Sequence, residues 1–104
     1  MELVPPVQMS SRALRSLRAI CSRIAEDNES AALRVETAIL EACELLAANP
    51  MIGSERPQET RLPVRFWPVS KFPNYLIVYL PETKPLQIVA VVHGRREPRS
   101  ALNY

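Results

Sequence analysis

The chain has 104 residues, 47% of them apolar and 23% charged, with a formal net charge of +2. That length suits one domain, 1–104, with one modest core, and no apolar run approaches the ~18 residues that a membrane span needs. Ten prolines against two glycines favour rigid turns and strand ends over flexible linkers. The cations are almost all arginine, with only Lys71 and Lys84 as exceptions, so they present planar, permanently charged forks suited to carboxylates and phosphates.

Residues 2–9 are weakly strand-like, and Pro5 and Pro6 restrict them to an edge strand or an arm. Ser10 and Ser11 are good N-cap residues. Leu14, Leu17, Cys21 and Ile24 then recur at helical spacing, which predicts a first helix over 11–27. Its opposite face carries Arg12, Arg15, Arg18 and Arg23. Such a charge run is ordinarily a solvated face; read functionally, it is a surface for an acidic partner. A polar break follows at 26–30, with Ser30 as the expected cap of a second helix. Val35, Ile39, Ala42 and Leu46 form that helix's apolar stripe, and Pro50 ends it by Asn49. The two helices make an antiparallel αα-hairpin with its tip near Asn28. Cys21 and Cys43 are then offset by about six residues, roughly 9 Å along the axis. That exceeds the ~7 Å between Cα atoms that a disulfide allows, so two free thiols are expected. Free thiols without a leader sequence point to the cytoplasm.

Residues 51–60 read as a loop containing Gly53 and Pro57. From Arg61 the period changes to two: Leu62, Val64 and Phe66 on one face, Arg61, Pro63, Arg65 and Trp67 on the other. Residues 74–80 read as a central strand, 81–85 as a turn and 86–92 as a second apolar strand, closed by His93 and Gly94. A polar tail covers 95–104. The expected fold is α+β: an N-terminal edge strand, then a helical hairpin packed on a three- to four-stranded antiparallel sheet, in the order β-α-α-β-β-β.

Three stretches of the chain, in order, carry a resemblance. They are Leu45-Leu46-Ala-Ala-Asn-Pro50 with Gly53 and Arg56, then Arg65-Phe-Trp-Pro-Val69 with 72–79, and finally 88–97 ending in His93-Gly-Arg-Arg-Glu97. Over roughly residues 10–97 the sequence resembles the RelE/ParE toxin superfamily, its ParE-like branch most of all. The family's closing motif usually ends in Asp where this chain has Glu97. The resemblance implies the toxic half of a bacterial type II toxin–antitoxin pair. Its partner would be a cognate ParD-like or RelB-like antitoxin, disordered in part when free and folding on the toxin in a hetero-oligomer.

The superfamily offers two activities. ParE-like members poison DNA gyrase by binding it; RelE-like members cut mRNA on the ribosome. A nuclease of this kind needs a base, an acid and cations for the phosphate. The residues that could serve here are Arg61, Arg65, His93 and Tyr104. A histidine closing an apolar strand before glycine is ordinarily structural, and one histidine with two helical cysteines makes no zinc site. No cofactor or metal is expected. The partner-binding residues expected are Arg12, Arg15, Arg18, Trp67, Arg95 and Arg96, with Trp67 as an aromatic anchor on the arginine side of its strand. A third reading is a non-toxic relative that only binds its antitoxin. It draws on Glu97 and on Leu80, where family members often carry arginine.

Overall fold

The computed structural model describes residues 7–94. The elements in order are β1 (Val7–Met9), α1 (Ser11–Asp27), α2 (Glu29–Ala48), β2 (Arg65–Val69), β3 (Phe72–Leu80) and β4 (Leu86–His93). The four strands form one sheet in the order β1-β4-β3-β2. The β-α-α-β-β-β order is as expected. The sheet, however, is mixed: β2, β3 and β4 are antiparallel, while β1 runs parallel to β4 with Val7 opposite Leu86. The helical hairpin carries the chain back so that β4, the last strand, lies beside the first.

The helices begin and end where backbone groups find substitute partners. The Ser10 side chain accepts a hydrogen bond from Ala13 N–H at 3.0 Å, capping α1. Asn28 serves both helices. Its backbone N–H closes α1 on Ile24 O, and its side chain accepts from Ala31 N–H at 3.0 Å. The second helix is therefore capped by Asn28 and not by Ser30. Ser30 lies one residue inside α2, where its hydroxyl accepts from Arg34 at 3.0 Å. At the far end the Asn49 side chain donates to Leu45 O, answering one of the orphan carbonyls of a helix terminus.

Both faces of the sheet are covered. The main core joins Leu17, Val35, Ile39, Cys43 and Leu46 of the helices to Ile77, Tyr79, Ile88 and Val91 of the strands. The opposite face buries Val64, Phe66, Val78, Ala90 and Val92, with Leu62 packed against them. Residues 61–64 are not strand, contrary to the alternation. Val64 N–H donates to Leu62 O at 2.8 Å across Pro63, a γ-turn that breaks the extended chain. Leu62 and Val64 still reach the sheet, as cover for its outer face.

β4 carries a bulge. Val78 pairs with Ala90 and Tyr79 with Ile88, leaving Val89 as the extra residue. Ser10 attaches there: its N–H donates to Ile88 O at 3.0 Å and its hydroxyl to Val89 O at 2.7 Å. One serine thus caps α1 and ties it to the bulged strand. Ser10→Ala removes both hydroxyl bonds, at a cost of about 2 kcal/mol, or roughly 10 °C in thermal midpoint. A midpoint unchanged in calorimetry would show that the tether contributes nothing.

Both cysteines are free thiols, as expected. Burial, helped by the nearby Glu44 charge, pushes the Cys43 thiol from its ordinary 9.0 up to about 12. The folded state therefore holds this proton more tightly than the unfolded chain does. The stabilisation is complete below about pH 9 and is lost as pH rises toward 12, at up to one proton, or about 1.4 kcal/mol, per pH unit. Chemical denaturation at a series of alkaline pH values checks this. Cys43→Ala is expected to reduce the slope in that window by one proton, and an unchanged slope would refute the assignment.

Candidate functional site

The most elaborate polar construction among the described residues lies where α2 passes into the loop before β2. Tyr79, next to the last residue of β3, is fully buried by the main core. Its hydroxyl donates to Pro50 O at 2.7 Å and accepts from Gly53 N–H at 2.9 Å. Arg65, paired directly across from Tyr79 on β2, donates to Met51 O at 3.2 Å and Gly53 O at 2.7 Å. Its other terminal nitrogen lies 3.7 Å from Glu55. Burial raises the Tyr79 hydroxyl above its ordinary 10.0; the Gly53 N–H and the Arg65 charge offset this in part. Gly53 is required by space: a Cβ there would collide with the Tyr79 hydroxyl and stand 3.0 Å from Phe66 O.

Beyond Gly53 the chain rounds the sheet edge. Ser54 exchanges two backbone hydrogen bonds with Phe66, at 2.9 and 2.8 Å, and so pairs the outer edge of β2. The Arg56 guanidinium stacks over the Phe66 ring at 4.8 Å and pairs with Glu59 at 3.5 Å.

The residues considered for nucleolytic chemistry do not meet. Arg61 is exposed and precedes β2, so it shares no strand face with Arg65. Arg65 holds backbone carbonyls. His93 sits opposite Tyr75 in the β3–β4 ladder, the two rings edge-to-face at 5.0 Å. Arg65 and His93 are separated by four residues along β3 and by two strand spacings, roughly 16 Å between backbones. Tyr104 lies outside the described residues. No group of three potential metal ligands occurs among the described residues.

Of the residues considered for partner contact, Arg15 and Arg18 are exposed on α1, and Arg12 is half-buried. Trp67 is half-buried and packs against the main core, so part of the ring serves the interior. Arg95 and Arg96 lie outside the described residues. Among the described residues six large apolar side chains are exposed: Leu14, Leu33, Leu40, Leu45, Met51 and Ile52. Leu14, placed by its spacing in the apolar stripe of α1, is exposed, and Ala13 takes the buried position beside Leu17 instead; Leu33, Leu40 and Leu45 lie beside the buried stripe of α2. Tyr79 and Gly53 were legible only as a strand aromatic and a loop glycine. Nothing in the sequence spacing links a phenol to an amide 26 residues away.

Tyr79→Phe strands Pro50 O and Gly53 N–H in a buried setting and is expected to cost about 1–3 kcal/mol. Denaturant titration measures this, and amide exchange at Gly53 should quicken in parallel. A fully stable Tyr79→Phe variant would mean that water replaces the hydroxyl.

Among proteins of known identity, a family model for the ParE toxin of the type II toxin–antitoxin system, parDE, matches residues 7–98. No curated protein matches the chain. The match covers every strand and both helices described above, and the chain belongs to the ParE toxin family of type II toxin–antitoxin systems.

Proposed function

We propose that this toxin acts by binding DNA gyrase and blocking its supercoiling cycle, not by cutting RNA. The observation that carries this reading is the commitment of Arg65. A phosphate-cleaving site needs cations whose donors face the substrate. Arg65, the strand arginine best placed by sequence, spends its Nη1 on Met51 O and Gly53 O and turns its Nη2 toward Glu55 at 3.7 Å. His93 lies edge-to-face against Tyr75 at a distant corner of the sheet, beyond the ~3 Å reach over which an acid–base pair acts on one phosphate.

The family implies an antitoxin as partner. In our reading it is ParD-like or RelB-like, folds onto the toxin, and holds it silent in a cytoplasmic hetero-oligomer. Exposed leucines on the hairpin support a partner that brings apolar side chains. No helix among the described residues is long and apolar enough to cross a membrane.

The test is a supercoiling assay with purified gyrase, relaxed plasmid and the isolated toxin. Supercoiling is expected to stop at saturating toxin and to resume when the antitoxin is added. Full supercoiling, together with cleaved messages in cells expressing the toxin, would overturn the proposal in favour of a ribosome-dependent nuclease.

A further inference from the structure

Both helices carry a second stripe, on the side of the hairpin turned away from the sheet. On α1 it is Leu14, Arg18, Cys21 and Ala25; on α2 it is Glu29, Leu33, Glu36 and Leu40. Each stripe alternates steps of four and three residues, the spacing of a seam that meets another helix. Two hollows of about 310 and 400 Å³ lie between the stripes. They share Cys21, Ser22 and Glu36 and so form one groove. No strand residue lines it, and its floor is apolar: Leu17, Cys21, Ala25 and Ala32. Leu14, Leu33 and Leu40 are 39%, 64% and 43% exposed. They take no part in the core, which the hairpin builds from its other stripe, Leu17, Val35, Ile39 and Leu46 among them.

The two sides of the groove differ in charge. The α1 side presents Arg18, and the α2 side presents Glu29 and Glu36. Heights along the hairpin follow from the rise per residue, counted from the tip at Asn28. Leu14 then stands within a turn of Leu40, Arg18 within a turn of Glu36, and Ser22 and Ala25 within a turn of Leu33. A two-fold axis along the groove brings α1 of one copy against α2 of another at the same height. Under that symmetry Leu14 meets the partner's Leu40, Arg18 meets the partner's Glu36, and Leu33 enters the hollow beside the partner's Ser22 and Ala25. A two-fold axis across the groove sets α1 on α1 and α2 on α2. Like charges then face each other, and this arrangement is excluded.

We infer that this seam is a homodimer interface, through which the free toxin pairs with a second copy of itself by way of two reciprocal Arg18–Glu36 contacts. Charge complementarity selects this occupant. A uniformly acidic segment satisfies Arg18 but is repelled by Glu29 and Glu36, whereas a second copy answers both signs at once. Size sets the strength. Helix α1 is about 25 Å long and two packed helices are roughly 20 Å wide. The face therefore covers about 500 Å² per copy and about 1,000 Å² in total, near the lower limit for a specific interface. A weak dimer, with a dissociation constant in the micromolar range, is expected.

The experiment is sedimentation equilibrium of the full chain over a range of about 1 to 500 μM, which brackets that constant. The chain is expected to pass from monomer to dimer across the range. Alkylation of Cys21, on the groove floor, should slow as the concentration rises. Arg18→Glu and Glu36→Arg, each alone, set like charges opposite one another and should weaken association by about tenfold or more, with unchanged circular dichroism spectra. Mixing these two variants restores opposite charges at both contacts and should return the affinity to that of the unaltered chain. A monomer at every concentration, a dimer indifferent to both substitutions, or a mixture that fails to associate would each overturn the proposal. So would a Cys21 thiol shielded only when the antitoxin is added, an outcome that assigns the face to the antitoxin.

Discussion

The hydroxyl of Tyr79 is the contact on which the two layers of this protein are joined. Helix α2 must hand the chain to β2, and the turn between them exposes carbonyls and an amide at the margin of an apolar core. Such groups are costly to bury without partners. Tyr79 supplies a donor and an acceptor at one atom, from a ring that is itself part of the core. Arg65, its cross-strand neighbour, satisfies two further carbonyls, those of Met51 and Gly53. The end of α2 is thereby fixed to the end of β3 and the start of β2 together.

Everything that follows in the chain depends on that placement. With Gly53 held against Tyr79, Ser54 is in position to pair with Phe66 on the outer edge of β2. That pairing hides an edge otherwise open to association with another strand. It also carries the chain to the far face of the sheet, where Leu62 and Val64 cover Phe66, Val78 and Ala90. At the opposite side of the sheet Ser10 performs a comparable service, joining the start of α1 to the bulge of β4. The hairpin is thus fixed at its open end by two polar anchors, one at the start of α1 and one just beyond α2, while at its tip Asn28 caps both helices with its side chain and its backbone N–H.

Local signals in the sequence were sufficient for the elements whose stabilisation is local. Helix α1 follows from its apolar period and its serine cap, and both lie within a few residues of one another. The start of α2 was harder, because Glu26 to Ser30 offers several capping residues. Asn28 won by satisfying both helices at once, which periodicity does not report. The parallel pairing of β1 with β4 spans most of the chain and leaves no local trace. In β4 the run of apolar residues from Ile88 to Val92 conceals both the bulge at Val89 and the fact that each face is buried. Arg65 illustrates the limit for the site. Its strand position was legible, but its partners are carbonyls 12 and 14 residues upstream, and only the folded loop reveals that its charge is engaged.

That engagement decides how the toxin family's two chemistries are weighed in this chain. An arginine that stabilises a leaving phosphate must exchange its solvent for substrate in the transition state. An arginine whose Nη1 closes a turn can offer that nitrogen to a phosphate only by releasing Met51 and Gly53, and with them the rigid end of α2. The same turn holds Met51 and Ile52 outward, 55% and 42% exposed, on a backbone fixed at Pro50 O, Met51 O, Gly53 O and Gly53 N–H. Apolar side chains presented on an ordered backbone lose little further freedom when they are bound. The polar network that closes the turn is therefore also what presents Met51 and Ile52 as an ordered contact surface.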